Sequence, residues 1–372
     1  MEGSRSARRA ALSAGAMLAA ALMLAPAPAR AQERVLVQGV LDLEGWSTDS
    51  GSRLLAKHEG RSAALARLCV WSAIEPVSGL VLYLQAEGEG GSAADEASVG
   101  IEQAGVRWTQ SRAFVVDAGM IAPIVGMYPN RHLSTRNPLV GSPDAYAVEY
   151  PLGVRISGKT TKADYRVGLV SLPVSNERYM PSPTAAPHVA AGLGLTPAPW
   201  IRVGLSGETG PYMNRELGAA LAGRPWESYR QRVGAADLSL SAGYLELRAE
   251  GSRSWYDVPG HTRMLTGSAW YGEGVYTWTP RLYTAIRVER NDYPFLKPFG
   301  TVWPARMARV DDAELGVGYR VGASQTLKVT YRRDRWKVSP ATPVAFPDGH
   351  AVAVQLSAGF DLLDALARTR GR

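Results

Sequence analysis

Sixteen short segments of this chain alternate apolar and polar residues with period two, and no other feature limits the possible folds so sharply. Strict alternation gives a strand one apolar face and one polar face. In the first segment Val37, Leu41 and Leu43 alternate with Gln38, Asp42 and Glu44. The clearest runs over 244–255, where Leu245, Leu247 and Ala249 oppose Glu246, Arg248 and Glu250. The others fall at 61–74, 80–90, 98–109, 113–121, 152–157, 165–169, 188–195, 200–207, 233–240, 265–278, 282–290, 313–320, 327–335 and 351–360. Between Gly207 and Gln231 the sequence reads as a long polar loop.

A soluble β-sandwich would also alternate, so the composition of the wet face decides between the two. Arg155, Arg166, Arg202, Arg287, Glu289, Lys328, Arg332 and Asp334 share the face of Glu246, Arg248 and Glu250, whereas the other face is Leu, Val and small residues. Apolar residues facing hydrocarbon and charges facing a lumen require the sheet to close, because lipid satisfies no open edge. The connections alternate strictly between short ones of about two to five residues and longer ones, as the two rims of an outer-membrane barrel demand. The fold class expected is therefore all-β, a transmembrane antiparallel up-and-down barrel of about sixteen strands with both termini on the periplasmic side. Trp71, Trp108, Trp200 and Trp278 lie near short turns, and Trp255, Tyr256 and Trp336 lie at opposite strand ends, as two interfacial aromatic bands would place them.

The address agrees with that reading. Arg5, Arg8 and Arg9 precede an apolar run over 10–24 and then Ala29-Arg30-Ala31, the pattern of a secretory signal peptide spanning 1–31. The barrel then occupies 32–361, leaving 362–372 as a short periplasmic extension. No later run of about 18 apolar residues is long enough for a membrane helix. Gly (39), Trp (10) and Tyr (16) outnumber Phe (5), which suits a barrel wall more than a thick core. The single cysteine, Cys69, supports neither a disulfide framework nor a cysteine metal site. The formal charge of +7 falls to +4 without the leader's four arginines and one glutamate, so nucleic acid is no obvious partner and no cofactor is implied.

One long connection, 121–148, interrupts the rhythm with Pro123, Pro129, Pro138 and Pro143, which exclude a helix or central strand. It is the third of the longer loops, and it carries Tyr128, Leu133 and Tyr146. A loop this long with such residues packs against something, and the expected place is inside the lumen, which it narrows. Arg131, His132, Arg136 and Asp144 in it, with Arg155 and Arg166 beyond it, form the expected constriction. Asp42, Glu44, Glu87 and Glu89 form an opposing acidic wall. Opposed arcs set up a transverse field across the pore, and the mild positive excess points to weak anion preference. Single solvated charges in so wide a tube have small effects.

The run Asp117-Ala118-Gly119-Met120-Ile121-Ala122-Pro123-Ile124-Val125-Gly126 resembles the exit of the fifth strand into the constriction loop of sixteen-stranded outer-membrane porins, and more distantly that of the phosphate-selective porins. Met120 and Val125 stand where a lysine and a phenylalanine are usual, and twelve residues follow Phe360 where such porins resemble one another in ending on an aromatic. The resemblance implies a passive, trimeric pore for small hydrophilic solutes or anions, set among outer-membrane lipid. Two other readings stay open: a plugged barrel serving structure or surface binding, and an outer-membrane hydrolase. For the latter, His58, His132, His188, His261 and His350 show no His-x-x-x-His spacing, Ser134 neighbours His132 only in sequence, and no Gly-x-Ser-x-Gly elbow is present.

Overall fold

In a computed structural model, which describes residues 35–49, 62–92, 97–127, 133–143, 150–174, 183–293, 308–338 and 348–363, the chain forms a closed barrel of sixteen strands. The strands are β1 (Val35–Thr48), β2 (Ala63–Val77), β3 (Leu80–Gly90), β4 (Ser98–Ser111), β5 (Phe114–Met120), β6 (Leu152–Lys159), β7 (Ala163–Val170) and β8 (His188–Ala198). They continue with β9 (Ile201–Pro211), β10 (Arg230–Ala242), β11 (Leu245–Tyr256), β12 (Leu265–Thr277), β13 (Leu282–Tyr293), β14 (Ala308–Arg320), β15 (Gln325–Val338) and β16 (Gly349–Asp361). Each pairs antiparallel with its neighbours in sequence, and β1 closes on β16 from Gln38↔Asp361 to Thr48↔Ala351. The expected signal peptide, 1–31, and most of the expected C-terminal extension lie outside the described residues.

Exposure identifies the two faces. On β9, Leu205 is 68% exposed while its successor Ser206 turns inward with Gly204 and Glu208; on β13, Ile286 is 53% exposed and Arg287 is 0%. A lone barrel shows its outer side chains to the surroundings and hides the inner ones, so along the middle of the wall the apolar face is the outer face, with charged residues such as Arg290, Asp311, Arg309 and Asp292 joining it only toward the rim of the longer connections. Closure leaves no unpaired strand edge, which in hydrocarbon would cost several kcal/mol per backbone group. Gly39, on the outer face at the seam, lies under the Phe360 ring, and a Cβ there would collide with it.

Short connections at 78–79, 112–113, 160–162, 199–200, 243–244, 278–281 and 321–324 share one rim, and the longer ones share the other. At the short-turn rim Trp108, Trp200, Tyr244, Trp278 and Tyr319 point outward and are exposed. The opposite band differs in detail from the expectation. Trp255, Trp270 and Tyr331 face outward there, but Tyr256 and Trp336 turn inward, and Trp71 sits on the inner face of β2 with Arg67 and Cys69. The segment 212–229 is also no simple polar loop: Tyr212, Met213, Leu221 and Tyr229 pack with Tyr256 and Val258 into a small buried core. Tyr212 Oη donates to the Asp257 carbonyl at 2.9 Å, and burial pushes that phenol well above its ordinary value.

Candidate functional site

The polar face of the strands and the described parts of the long connection make up the candidate site. The connection leaves β5 through Gly119, whose φ of +126° suits glycine and whose missing Cβ would strike the Ala104 carbonyl. Its first limb, 121–127, is held by arginines of the adjoining strands. Asp117, fully buried on β5, accepts from Arg107 Nε at 2.7 Å and from Arg155 Nη2 at 2.9 Å, and Arg155 Nη1 then donates to the Ala122 carbonyl at 3.2 Å. Arg166 donates to the carbonyls of Ile124 and Gly126. Farther along, Gly126 N donates to Ser206 Oγ at 3.0 Å on β9 and Met127 N to Glu250 Oε1 at 2.7 Å on β11. Apolar contacts follow the same path, with Ile124 beside Val170 and Ala190, and Val125 beside Val233 and Ala235.

The second limb, 133–143, meets other strands. Ser134 Oγ donates to Asp42 at 2.6 Å on β1, and the Ser134 carbonyl accepts from Lys328 Nζ on β15. Tyr283 Oη donates to the Pro138 carbonyl at 3.1 Å, Val140 N donates to Thr330 Oγ1 at 3.1 Å, and Arg287 Nη2 donates to Asn137 Oδ1 at 2.8 Å. Leu139 packs on Tyr283 and Ala285. The two limbs thus bond to inward side chains of different sectors, β6–β11 for one and β1, β13 and β15 for the other.

Of the residues expected at the constriction, Arg131, His132 and Asp144 lie outside the described residues. Arg136 is exposed on the second limb, and Arg155 and Arg166 come together at the first. On the other side Arg67 gathers three of the four expected acids, with Glu44 at 3.8 Å, Glu87 at 3.4 Å and Glu89 at 3.4 Å. Asp42 takes hydroxyl hydrogens from Ser134 and Ser357, each at 2.6 Å, and Glu44 accepts from Gln355 at 2.7 Å. Glycines make room for the long side chains: Arg166 lies across Gly192, and Arg202, paired with Asp164 and Asp237, lies across Gly194, where a Cβ would collide with the guanidinium.

A second acidic group was not among the expected site residues. On β12–β15 Arg287 contacts Glu273 at 2.8 Å and Glu314 at 3.2 Å, and Arg248 reaches Glu273 at 3.1 Å. Arg332 contacts Glu314 at 3.0 Å, Asp334 at 3.0 Å, Asp312 at 3.1 Å and Glu289 at 3.4 Å. Parity shows that these side chains face inward, but only strand register shows that they meet: Glu289↔Asp312 and Asp312↔Asp334 in one row, Arg287↔Glu314 and Glu314↔Arg332 in the next. His188 is buried beside Glu208 at 3.3 Å. Among the described residues no three of His, Cys, Asp and Glu are grouped so as to hold a metal ion.

No family model matches the chain, and no curated protein does. Solved structures do. The outer membrane channel DcaP of Acinetobacter baumannii superposes with a TM-score of 0.61 at 12% identity, covering 88% of this chain and 97% of that one. An anion-selective porin from Comamonas acidovorans gives 0.59 at 11% identity, with 88% and 99% covered. OmpF of Salmonella typhi, in complex with daunomycin, gives 0.58 at 12% identity, with 88% and 97% covered. With a closed antiparallel barrel of sixteen strands in common with these structures, the chain has the fold of the outer-membrane porins.

Proposed function

We propose that the protein is a passive channel of the outer membrane, exported behind residues 1–31 and assembled as a homotrimer, through which small hydrophilic solutes and ions diffuse. The connection after β5 narrows its lumen. The observation that carries this reading is the bonding of the two described limbs to inward residues of different sectors, Ser206 and Glu250 for one, Asp42, Arg287 and Thr330 for the other. A segment tied at both sides of a tube reduces its free cross-section, and cross-section sets the flux of a water-filled pore. The inner face is rich in ion pairs, as suits a water-filled passage, and the reading assigns it transport with no catalytic step.

Stepwise ohmic currents from folded protein in planar bilayers are expected, and silence would favour the plugged barrel. Deleting 130–143 should raise unit conductance by roughly twofold. An unchanged conductance would remove the narrowing role. A heat-labile, SDS-resistant band at three times the monomer mass is expected for the trimer, and a monomer band alone under mild detergent would reject it.

A further inference from the structure

A permeating ion responds to the charges on the inner face of the sheet, and this chain sorts its charges unevenly between faces. Along the inner face of β12–β15, Glu273, Glu289, Asp312, Glu314 and Asp334 stand with two guanidinium groups, Arg287 and Arg332, and one ammonium, Lys328, five acids against three bases. Arg332 alone contacts four of the five carboxylates, and one guanidinium carries one charge. Among the described residues this sector is rich in negative charge. Across the lumen the sum is close to even: Arg107 and Arg155 meet Asp117, and Arg202 meets Asp164 and Asp237. Arg155 and Arg166 also spend hydrogens on the carbonyls of the loop. Part of the chain's positive formal charge is directed away from the lumen, because Arg333 and Arg335 stand on the outer face of β15, where Arg290 and Arg309 of β13 and β14 also stand, each matched by an outward carboxylate, Asp311 and Asp292. The formal charge of the whole chain is therefore no guide to the sign of charge on the lumen wall.

A second observation falls on the same wall. Asn291, the next inward residue after Glu289 on β13, is fully buried, and among the described residues neither its amide nitrogen nor its amide oxygen has a hydrogen-bond partner. Oδ2 of Asp334, on a residue 1% exposed, likewise has none among the described residues. Native interiors leave few buried polar atoms unpaired, so these atoms are able to take up a polar partner such as water or a cation's ligand shell.

We infer that the β12–β15 wall is the cation-attracting face of the lumen, and that the pore passes cations, including small solutes bearing an ammonium or guanidinium group, ahead of anions of similar size. Carboxylates in a water-poor wall raise the local concentration of the opposite charge and exclude their own sign. The inference rests on the channel reading above and gives that channel its preferred solutes.

The full-length folded protein in a planar bilayer under a KCl gradient is expected to give a reversal potential of the potassium sign, with a K⁺ to Cl⁻ permeability ratio above about three. In liposome swelling, arginine should enter faster than glutamate. The double variant Glu289→Gln/Asp312→Asn should lower the permeability ratio by at least about twofold, a change that a purely structural role would not produce. Conducting channels with a chloride-sign or zero reversal potential would overturn the inference and leave the channel reading intact. An unchanged ratio in the double variant would overturn the assignment to this wall, and the wild-type measurements decide the matter even where the variant fails to fold. No current from folded barrel would overturn the channel reading and this inference with it.

Discussion

Arg166 shows how a charge in a lumen can serve structure. Its guanidinium reaches the Ile124 and Gly126 carbonyls across the floor left by Gly192, so most of its hydrogen-bonding capacity is taken up by the loop. Arg166→Met would leave two carbonyls short of a donor, at about 1–3 kcal/mol for each that stays buried and unsatisfied. The expected outcome is a looser first limb, read as greater open-channel noise and a changed unit conductance, with partial recovery in Arg166→Lys. Currents identical to wild type would show that the limb does not depend on Arg166. The sequence makes the inward direction of Arg155 and Arg166 legible through parity alone. Their partners are not legible, because the path of a proline-broken loop follows no period, and the same blindness applies to Ser134 on Asp42 or Tyr283 on the Pro138 carbonyl.

At the level of the strand, alternation makes two neighbouring positions chemically opposite. Leu205 faces the surroundings and Ser206, one residue on, donates no lipid contact but receives the loop's Gly126 N–H. Leu205→Arg would place a guanidinium against hydrocarbon and should cost about 2–4 kcal/mol if the position lies near the bilayer midplane, and less toward either rim. Urea titration of the protein refolded into lipid vesicles measures the loss, with Leu205→Ile expected near wild type. Equal stability of the arginine and isoleucine variants would argue that this face does not meet hydrocarbon. All sixteen strands are legible from this pattern, since each repeats it several times. Aromatic placement is less so: Trp71 and Tyr256 sit where a rim anchor would, yet both turn inward, because an amphipathic ring suits an interface and an inner cluster alike. The core of Tyr212, Met213, Leu221 and Tyr229 escapes sequence reading for another reason, that its residues are spaced irregularly over 212–229 and form a group only once folded.

For the whole molecule, stability depends on closure. The eleven residue pairs between β1 and β16, from Gln38↔Asp361 to Thr48↔Ala351, join the two ends of the chain, and without them both strands would offer unpaired N–H and C=O groups to lipid. Closure also explains the phase of the barrel: an even number of strands returns the C-terminus to the rim where the chain began, as the alternation of connection lengths already implies. The register of this seam ends at Asp361, and β16 is half of it. A chain ending at Asp361 should therefore refold in detergent micelles to the compact, heat-modifiable form that migrates apart from the boiled protein. A chain ending at Asp348 should not, and should aggregate or remain accessible to protease. Recovery of a compact barrel from the shorter chain would mean that β1 can close on β15 by itself, and the sixteen-strand register would then have alternatives that neither the pleat nor the seam excludes.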